Sequence, residues 1–290
     1  MTIITIANTK GGTGKTTTAL NLATELSRLG KKVILIDLDP QGSLSKAILG
    51  EEELLNFTGI EELLTNPKLD PVDFITETKL KDVSIIPCHS ELNETAIKLL
   101  MNAGFFALKD VLKGIAGNDE SLYFDFILID TQPSKNILML NAFTASDFVL
   151  IPTNPSVYPL MDIVELEVTI KSSADNSNPA LKILGVLITM VQRATVYRQL
   201  EADLREYFKD KVFKTTISRT AKSEESAVEG VGVSELDPEC KLSQEYKSLT
   251  SELLKRLGIA SSSSTPRNDM DVSAHAKHAE VRESCNDAEV

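Results

Sequence analysis

The sequence predicts an α/β fold in which about seven strands form a mostly parallel, twisted sheet with helices on both faces. Two observations lead to this prediction. Short β-branched and apolar runs alternate along the chain with longer segments whose apolar residues recur at helical spacing. The first of these runs also leads into a glycine-rich loop, and the second ends in aspartates. Strands that alternate with helices imply a parallel sheet, and ligands bind at the carboxyl ends of its strands.

The chain begins with an apolar run over residues 2–7 that predicts a buried strand. A loop with three glycines follows, and a helical pattern begins at Lys15. This order suits a phosphate site, because glycines let backbone N–H groups turn inward and a helix N-terminus adds unpaired N–H groups. Lys15 is expected to reach the β- and γ-phosphates, and the Thr16 hydroxyl to ligate Mg²⁺. The predicted phosphate loop comprises Lys10, Gly11, Gly12, Thr13, Gly14, Lys15, Thr16 and Thr17.

The next predicted strand, residues 33–36, runs into two aspartates, Asp37 and Asp39. Strand, helix and parallel strand form a right-handed unit, so both aspartates are expected to emerge beside the phosphate loop. Residues two apart on a strand point the same way, and two carboxylates so placed repel each other without a cation. The alternative is that the two carboxylates cap the turn that follows the strand.

The segment from residue 43 to residue 120 has a less regular pattern. Thr58 and Glu61 have the spacing of a capping box, which predicts a short helix over residues 60–64. Residues 83–87 predict a strand, and residues 91–116 predict helical structure whose apolar side chains belong to the core.

A further strand is predicted from Phe124 to Asp130, and its last residue is acidic. An apolar strand that ends in aspartate is the Walker B arrangement, which directs the carboxylate towards Mg²⁺. Later strands are predicted at residues 148–152, 183–190 and 212–217, and helices at residues 161–170 and 242–257. We expect one domain over residues 1–258 and a disordered polar tail over residues 259–290.

Composition and length narrow the class of protein. With 290 residues, 42% hydrophobic residues and a formal net charge of −12, the chain is long enough for one large α/β domain. No apolar run approaches the roughly 20 residues of a membrane span, and no signal-peptide pattern opens the chain. Cys88, Cys240 and Cys285 are isolated and lack metal-binding spacing. We therefore expect a cytoplasmic protein with no membrane partner.

The phosphate loop departs from the strict pattern G-x-x-x-x-G-K-[ST] at its first position, Thr9, and it carries a second lysine, Lys10. With the acidic strand ends, this loop resembles the deviant Walker A loop of the ParA/MinD superfamily of partition and positioning ATPases, and most of all the ParA/Soj type. The resemblance covers about residues 1–257 and implies a P-loop NTPase domain that uses ATP and Mg²⁺. One departure is Gln132, which stands where the family usually has proline.

The resemblance implies a role for each site residue. Two subunits face each other across two nucleotides, and Lys10 reaches the phosphates of the partner; the alternative is that Lys10 touches only its own phosphates. Asp39 positions the attacking water and, with Lys10 and Lys15, forms the catalytic set. The residues implied to hold Mg²⁺ are Thr16, Asp37 and Asp130, and those implied to lie around the nucleotide base are Met190, Ile217, Ser218 and Arg219.

Residues 193–222 carry a local excess of lysine and arginine in an acidic chain. The resemblance implies that Arg193, Arg219 and Lys222 contact DNA. Such binding is to phosphates, so it is independent of sequence and depends steeply on salt. The alternative is an ordinary solvated, charged helix.

The function implied is that of a ParA-type ATPase, which dimerises on ATP, binds nonspecific DNA and positions plasmid or chromosomal DNA with a ParB-like partner. Its intrinsic ATPase rate is expected to be weak and stimulated by that partner, and its ATP form to be associated with the nucleoid. The same ATPase could instead position a protein cargo, such as a microcompartment or a chemoreceptor cluster, through an adaptor. A MinD-like membrane switch is disfavoured because the tail lacks an amphipathic basic helix.

Overall fold

The computed structural model describes residues 1–117, 123–155, 159–192 and 195–260, and these residues are built around an eight-stranded sheet. In chain order the strands are β1 Thr2–Ile6, β2 Val33–Leu38, β3 Thr76–Glu77, β4 Val83–Ile86, β5 Phe126–Thr131, β6 Phe148–Thr153, β7 Lys182–Val191 and β8 Val212–Ser218. Across the sheet their order is β3-β4-β2-β5-β1-β6-β7-β8. All neighbours run parallel except β3 and β4. The predicted mostly parallel sheet is therefore confirmed.

Helices cover both faces of this sheet. In chain order they are α1 Lys15–Arg28, α2 Ser43–Leu49, α3 Glu51–Leu54, α4 Ile60–Thr65, α5 Leu92–Met101, α6 Ala107–Gly117, α7 Ile137–Ala145, α8 Pro159–Asn176, α9 Thr195–Phe208, α10 Lys222–Glu229, α11 Val233–Leu236 and α12 Lys241–Arg256. Two short 3₁₀ turns lie at Pro71–Phe74 and Lys209–Lys211. Among the described residues, no helix combines the length and apolar content that crossing a membrane requires.

The central strands are buried on both faces. Along β2, Val33 and Leu35 belong to the core cluster under α1 and α12, whereas Ile34 and Ile36 belong to the cluster under α4 to α7. This alternation follows from the period of two along a strand. It explains why β2 reads as a continuous apolar run, which is typical of a parallel strand covered by helices on each side.

The structure differs from the sequence expectations at three places. The sheet has eight strands rather than about seven, because β3 is a two-residue antiparallel edge strand too short to give a periodic signal. The segment 91–116 contains two helices, since the chain turns at Ala103, whose φ is 53°, and at Gly104. The capping box is wrong: Gly59 is the N-cap of α4, and the Glu61 carboxylate instead accepts a hydrogen bond from the His89 backbone N–H.

The C-terminal part of the predicted domain ends with α12. Gly258 follows it with a φ of 70°, the left-handed conformation typical of a residue after a helix. Residues 261–290, most of the predicted tail, lie outside the described residues. The boundary at residue 258 remains a prediction.

Gly230 allows α10 to approach α2, and it provides a test of this packing. Its φ is 63°, and a Cβ at this position would collide with the Ala47 carbonyl oxygen of α2. Gly230→Ala is expected to lower the free energy of unfolding through both backbone strain and this collision. Gly30→Ala is the matched control, because Gly30 has a φ of 73° but no atom within 4 Å of the added Cβ.

We expect Gly30→Ala to cost about 1–2 kcal/mol from backbone strain alone, and Gly230→Ala to cost about 1–3 kcal/mol more from overpacking. Urea denaturation measures both values. Equal losses in the two variants would contradict the close packing of α10 on α2.

Candidate functional site

The carboxyl ends of three adjacent strands bring the candidate site residues together. In the strand register, Asp130 of β5 lies opposite both Ile6 of β1 and Asp37 of β2. The segment after β1 leads into the predicted phosphate loop, whose first residue, Lys10, comes four positions after Ile6. Residues separated by more than 100 positions in sequence thus meet at one edge of the sheet, as predicted for parallel strands.

The phosphate loop is held in place by contacts with its neighbours. The Asn8 carboxamide donates a hydrogen bond to the Pro152 carbonyl and accepts one from the Lys10 N–H. The Thr189 hydroxyl lies 2.9 Å from the Thr13 carbonyl oxygen, to which it donates. Gly14 has a φ of 79° and is the N-cap of α1, with no side-chain cap. The first N–H groups of α1 are therefore free of side-chain competition and point towards the loop.

Lys15 occupies the first position of α1 and is only 7% exposed. Its ammonium lies 3.4 Å from the Lys10 carbonyl oxygen, so the Lys15 side chain folds back towards the start of the phosphate loop. Burial lowers the pKa of Lys15, while the carboxyl groups of Asp130 and Asp39 oppose this shift. The Lys10 side chain is half-buried at the same loop.

Asp130, like Asp37, is a fully buried carboxyl group of the site. Its Oδ2 accepts a 2.6 Å hydrogen bond from the Thr16 hydroxyl. Its Oδ1 is also buried and has no hydrogen-bond partner among the described residues. Burial, followed by the neighbouring carboxyl of Asp37, raises the pKa of Asp130 to about 8; the Thr16 hydrogen bond and the charge of Lys15 act in the opposite direction.

Asp37 is buried in β2 and fully hydrogen-bonded. Its Oδ1 accepts a hydrogen bond from the Asp39 N–H, and its Oδ2 accepts two from the backbone and hydroxyl of Ser45 on α2. Burial raises the pKa of Asp37 to about 6, although these hydrogen bonds lower it. The Thr16 hydroxyl donates to Asp130 and not to Asp37.

Asp39 lies just beyond β2, which ends at Leu38. Its Oδ1 accepts a 3.0 Å hydrogen bond from the Gln41 N–H, so its carboxylate does cap the following turn. The expectation that both aspartates point the same way from one strand is therefore only partly met, since Asp37 is within the strand and Asp39 is in the turn. Asp39 remains close enough to contribute to the charge environment of Lys15 and Asp130.

These features fit a Mg²⁺ ion. The site offers a buried carboxylate oxygen without a donor and a hydroxyl at Thr16, and oxygen ligands are those that Mg²⁺ prefers. Within the described ranges, no three His, Cys, Asp or Glu side chains form a group that could hold a metal. Mg²⁺ does not need such a cage, because it is usually bound by one or two carboxylates together with phosphate oxygens and waters.

The residues predicted near the base lie at the ends of β7 and β8, beside the loop. The Met190 Cε is 3.9 Å from the position that a Cβ on Gly14 would occupy. The Arg219 N–H donates to the Val191 carbonyl oxygen, and Ile217 is buried. The Ser218 hydroxyl donates to Glu245 on α12, which therefore orients it.

Two of the three residues predicted to contact DNA, Arg219 and Lys222, lie within the described part of the chain. Lys222 begins α10, is partly exposed, and forms ion pairs with Glu225 at 3.0 Å and Asp237 at 3.9 Å. Arg219 stands between β8 and α10. Arg193 lies outside the described residues.

Three residues that support the site were missed by the sequence reading. Ser45 holds Asp37, Thr189 ties β7 to the phosphate loop, and Glu245 binds Ser218. Each contact joins positions that are far apart in sequence or lie on different elements, so no local pattern marks it.

The fold and the site define a P-loop nucleotide-binding protein. The class rests on the glycine loop between β1 and α1, the lysine and hydroxyl that open α1, and the aspartate at the end of the adjacent strand.

Comparisons with known proteins place the chain within this class. The family model described as AAA domain matches residues 1–183. The chromosome partitioning protein ParA of Caulobacter vibrioides is 36% identical over 256 residues, which are 88% of this chain and 94% of that protein. The chain therefore belongs to the ParA family of P-loop ATPases.

Solved structures agree with this assignment. The structure of cobyrinic acid a,c-diamide synthase from Mycobacterium smegmatis with bound ATP analog and magnesium matches with a TM-score of 0.76 and 28% identity, over 89% of this chain and 95% of that one. A plasmid partition protein from Borrelia burgdorferi bound to AMPPNP matches with a TM-score of 0.73 and 26% identity, over 88% and 98% of the two chains.

The raised pKa of Asp130 predicts a pH-dependent stability in nucleotide-free, metal-free protein. A carboxyl group whose pKa rises from 3.8 to about 8 on folding holds its proton in the folded state, so folding loses stability as pH rises through this window. Asp130→Asn replaces the carboxyl with a neutral group of similar shape. Its free energy of unfolding, relative to wild type, is expected to increase between about pH 5 and about pH 9.

Urea denaturation at both pH values, with a chelator present, measures this difference. Asp175→Asn is the control, because Asp175 is exposed on α8. A difference between Asp130→Asn and wild type that does not change with pH would show that the carboxyl does not titrate in this range.

Proposed function

We propose that this chain is a Mg²⁺-dependent ATPase that dimerises on ATP, binds nonspecific DNA as a dimer, and positions plasmid or chromosomal DNA together with a ParB-like partner. The observation that carries this proposal is the presence of Lys10 and Lys15 in one phosphate loop, with the Lys15 ammonium near the carboxyl groups of Asp130 and Asp39. Membership of the ParA family supports it.

The phosphate loop and the start of α1 bind the nucleotide in this proposal. Backbone N–H groups of residues 10–17 surround the phosphates, and the Lys15 ammonium pairs with the β- and γ-phosphates. The residues that hold the base are Met190, Ile217, Ser218 and Arg219, whose strands end beside Gly14. The contact between Met190 and the loop supports this assignment.

Thr16, Asp130 and Asp37 would hold Mg²⁺. When bound, the ion neutralises negative charge on the β- and γ-phosphate oxygens. Asp130 has the buried oxygen without a donor, and the Thr16 hydroxyl is already beside it. Asp37 would contribute indirectly, because both of its carboxylate oxygens already accept hydrogen bonds, one oxygen from the Asp39 N–H and the other from Ser45. Ser45 therefore fixes the carboxylate that lies next to Asp130.

Asp39 and Lys10 complete the catalytic set with Lys15. Asp39 lies in the turn beyond β2, at the open edge of the site, where its carboxylate orients a water for attack on the γ-phosphoryl group. Lys10 extends to the nucleotide of a second subunit and stabilises the charge that develops there. The dimer is needed for turnover because each subunit supplies this ammonium to the other.

DNA binding by Arg219 and Lys222, with Arg193, requires the dimer in this proposal. The chain has a net charge of −12, and Lys222 is engaged by Glu225 and Asp237, so the positive surface of one subunit is weak. Joining two subunits doubles the surface and gives binding through avidity. The ATP form would then be associated with the nucleoid, and a partner that stimulates a weak intrinsic ATPase would release it.

Asp39→Ala is expected to give a dimer that retains ATP. Removing the carboxylate should lower the rate of phosphate release by about 100-fold or more, because a water-positioning base contributes this much to catalysis. Phosphate release and the mass of the ATP complex are measured on the same sample. Asp73→Ala, at an exposed position, is the control. Wild-type turnover in Asp39→Ala would exclude Asp39 from the mechanism.

Lys10→Ala tests the proposed function as a whole. We expect the variant to keep some ATP binding but to lose the dimer, ATP turnover and DNA binding, since all three depend on the ammonium given to the partner. Light scattering reports the dimer, and a gel shift on nonspecific DNA with ATP, ADP and no nucleotide reports DNA binding. Lys32→Ala, exposed at the opposite end of the sheet, is the control.

A normal dimer with Lys10→Ala would show that Lys10 acts only on its own phosphates. Binding of the wild type to anionic vesicles in place of DNA would favour a membrane switch, and binding to neither would contradict the DNA-binding part of the proposal.

A further inference from the structure

The outward face of α5 is apolar and unpartnered within the described residues. Ile97, Leu100 and Met101 are 61%, 63% and 79% exposed. Their spacing of three and four residues places them on one stripe, whereas Leu92 and Leu99 on the opposite side are buried in the core. Single exposed apolar residues are common, but adjacent ones on one helix face indicate a surface that another molecule covers.

A groove runs beside this helix, between α4 and α5. It consists of two cavities of about 800 and 900 Å³, both lined by Thr65 and Lys98, so they are neighbours along the helix. One extends to Gly42, close to Asp39, and the other to Gly114 on α6. Two adjoining open cavities of this size suit an extended or helical protein segment better than a small molecule.

The charge around the groove indicates which kind of molecule binds there. Residues 47–67 contain five glutamates and no lysine, arginine, aspartate or histidine. The lining of the two cavities as a whole is acidic, with seven carboxyl groups against three lysines, Lys46, Lys68 and Lys98. Glu51 and Glu62 from this segment line the groove, as do Glu91 and Glu94 at the start of α5, and all four are exposed. An anionic lipid surface or a nucleic acid would be repelled here, whereas a basic protein segment would be attracted.

We propose that the α4–α5 groove and the outward face of α5 form the docking site for a basic segment of a partner protein, with apolar residues at helical spacing. The apolar residues cover Ile97, Leu100 and Met101, and the cationic side chains pair with the glutamates at the rim. The inference rests on the proposed function in one respect, since it identifies this partner as the protein that stimulates hydrolysis.

The groove is connected to the candidate site by direct hydrogen bonds through residues 87–89. On the groove side, the Ile60 N–H donates to the Pro87 carbonyl, and the His89 N–H donates to Glu61. Cys88 lies between them and contacts the site side, because its N–H donates to the Ser45 hydroxyl and its Sγ lies 3.0 Å from the Asp39 carbonyl oxygen.

The same short segment therefore lines the groove and supports the turn that carries Asp39, as well as the serine that holds Asp37. A partner that shifts α4 or the segment 87–89 changes the position of Asp39 directly. The docking site is thus placed to regulate hydrolysis without covering the nucleotide.

Selection from a peptide library tests this proposal. The full chain, without nucleotide, is exposed to a display library of random peptides about 15 residues long, enough for four helical turns. Affinities of the selected peptides are then measured by fluorescence anisotropy. Two double variants alter the surface, Leu100→Ser with Met101→Ser and Glu62→Lys with Glu94→Lys. Val228→Ser and Glu206→Lys are the controls, because these residues are equally exposed on other helices.

We expect the enriched peptides to be basic, with apolar residues three and four positions apart. Each double variant should weaken their binding by about tenfold or more, as loss of a central contact does in an interface, and the controls should not. The selected peptides should also raise the ATPase rate of the wild type but not that of the double variants. Circular dichroism checks that all variants are folded.

Three outcomes overturn the proposal: a selection without binders, acidic or uncharged consensus peptides, or equal affinity for the double variants and the wild type. Binding to phosphatidylglycerol vesicles that Leu100→Ser with Met101→Ser abolishes would also overturn it, in favour of a lipid surface. Because selection needs no ATP, a chain that binds basic peptides but hydrolyses no ATP would refute the proposed function and retain the docking site.

Discussion

The arrangement of the site depends on two carboxyl groups that the sheet places side by side in its interior. Asp37 and Asp130 are neighbours in the register of β2 and β5, and both are fully buried. Burial raises both pKa values, to about 6 and about 8, so the empty pair favours a form that holds one proton, on Asp130, near neutral pH. A divalent cation reverses this preference, because its charge stabilises both carboxylates in place. Binding of Mg²⁺ with a triphosphate therefore satisfies a constraint that the fold itself creates.

Hydrogen bonds to Asp37 hold the neighbouring parts of the site in position. Ser45 holds Asp37 with two hydrogen bonds, and this places the start of α2 against β2. The turn between them carries Asp39, whose backbone N–H is also bound to Asp37. A change in the charge of Asp37 therefore reaches the turn that carries Asp39 through a direct hydrogen bond. The segment 87–89 touches the same serine and the same turn, which links the α4–α5 groove to this centre.

Much of this could be predicted from sequence because the signals were local. The strand, glycine loop and helix over residues 2–28, and the acidic ends of β2 and β5, each appear within a short stretch of chain. Contacts across elements left no such signal: Thr16 binds Asp130 across 114 positions, and Cys88 binds Ser45 across 43. The two-residue β3 and the break near Ala103 were missed because neither interrupts the apolar pattern. The Glu61 signal was misread, since tertiary contact with His89 replaced a local cap.

A cation at the site is expected to convert the buried carboxyl pair to its fully charged form. Isothermal titration of Mg²⁺ with a non-hydrolysable ATP analogue, at about pH 7 and in buffers with different ionisation enthalpies, measures the protons exchanged on binding. We expect a net release of protons by wild type, in larger number than by Asp130→Asn. Binding of the same complex without any proton release would contradict the account.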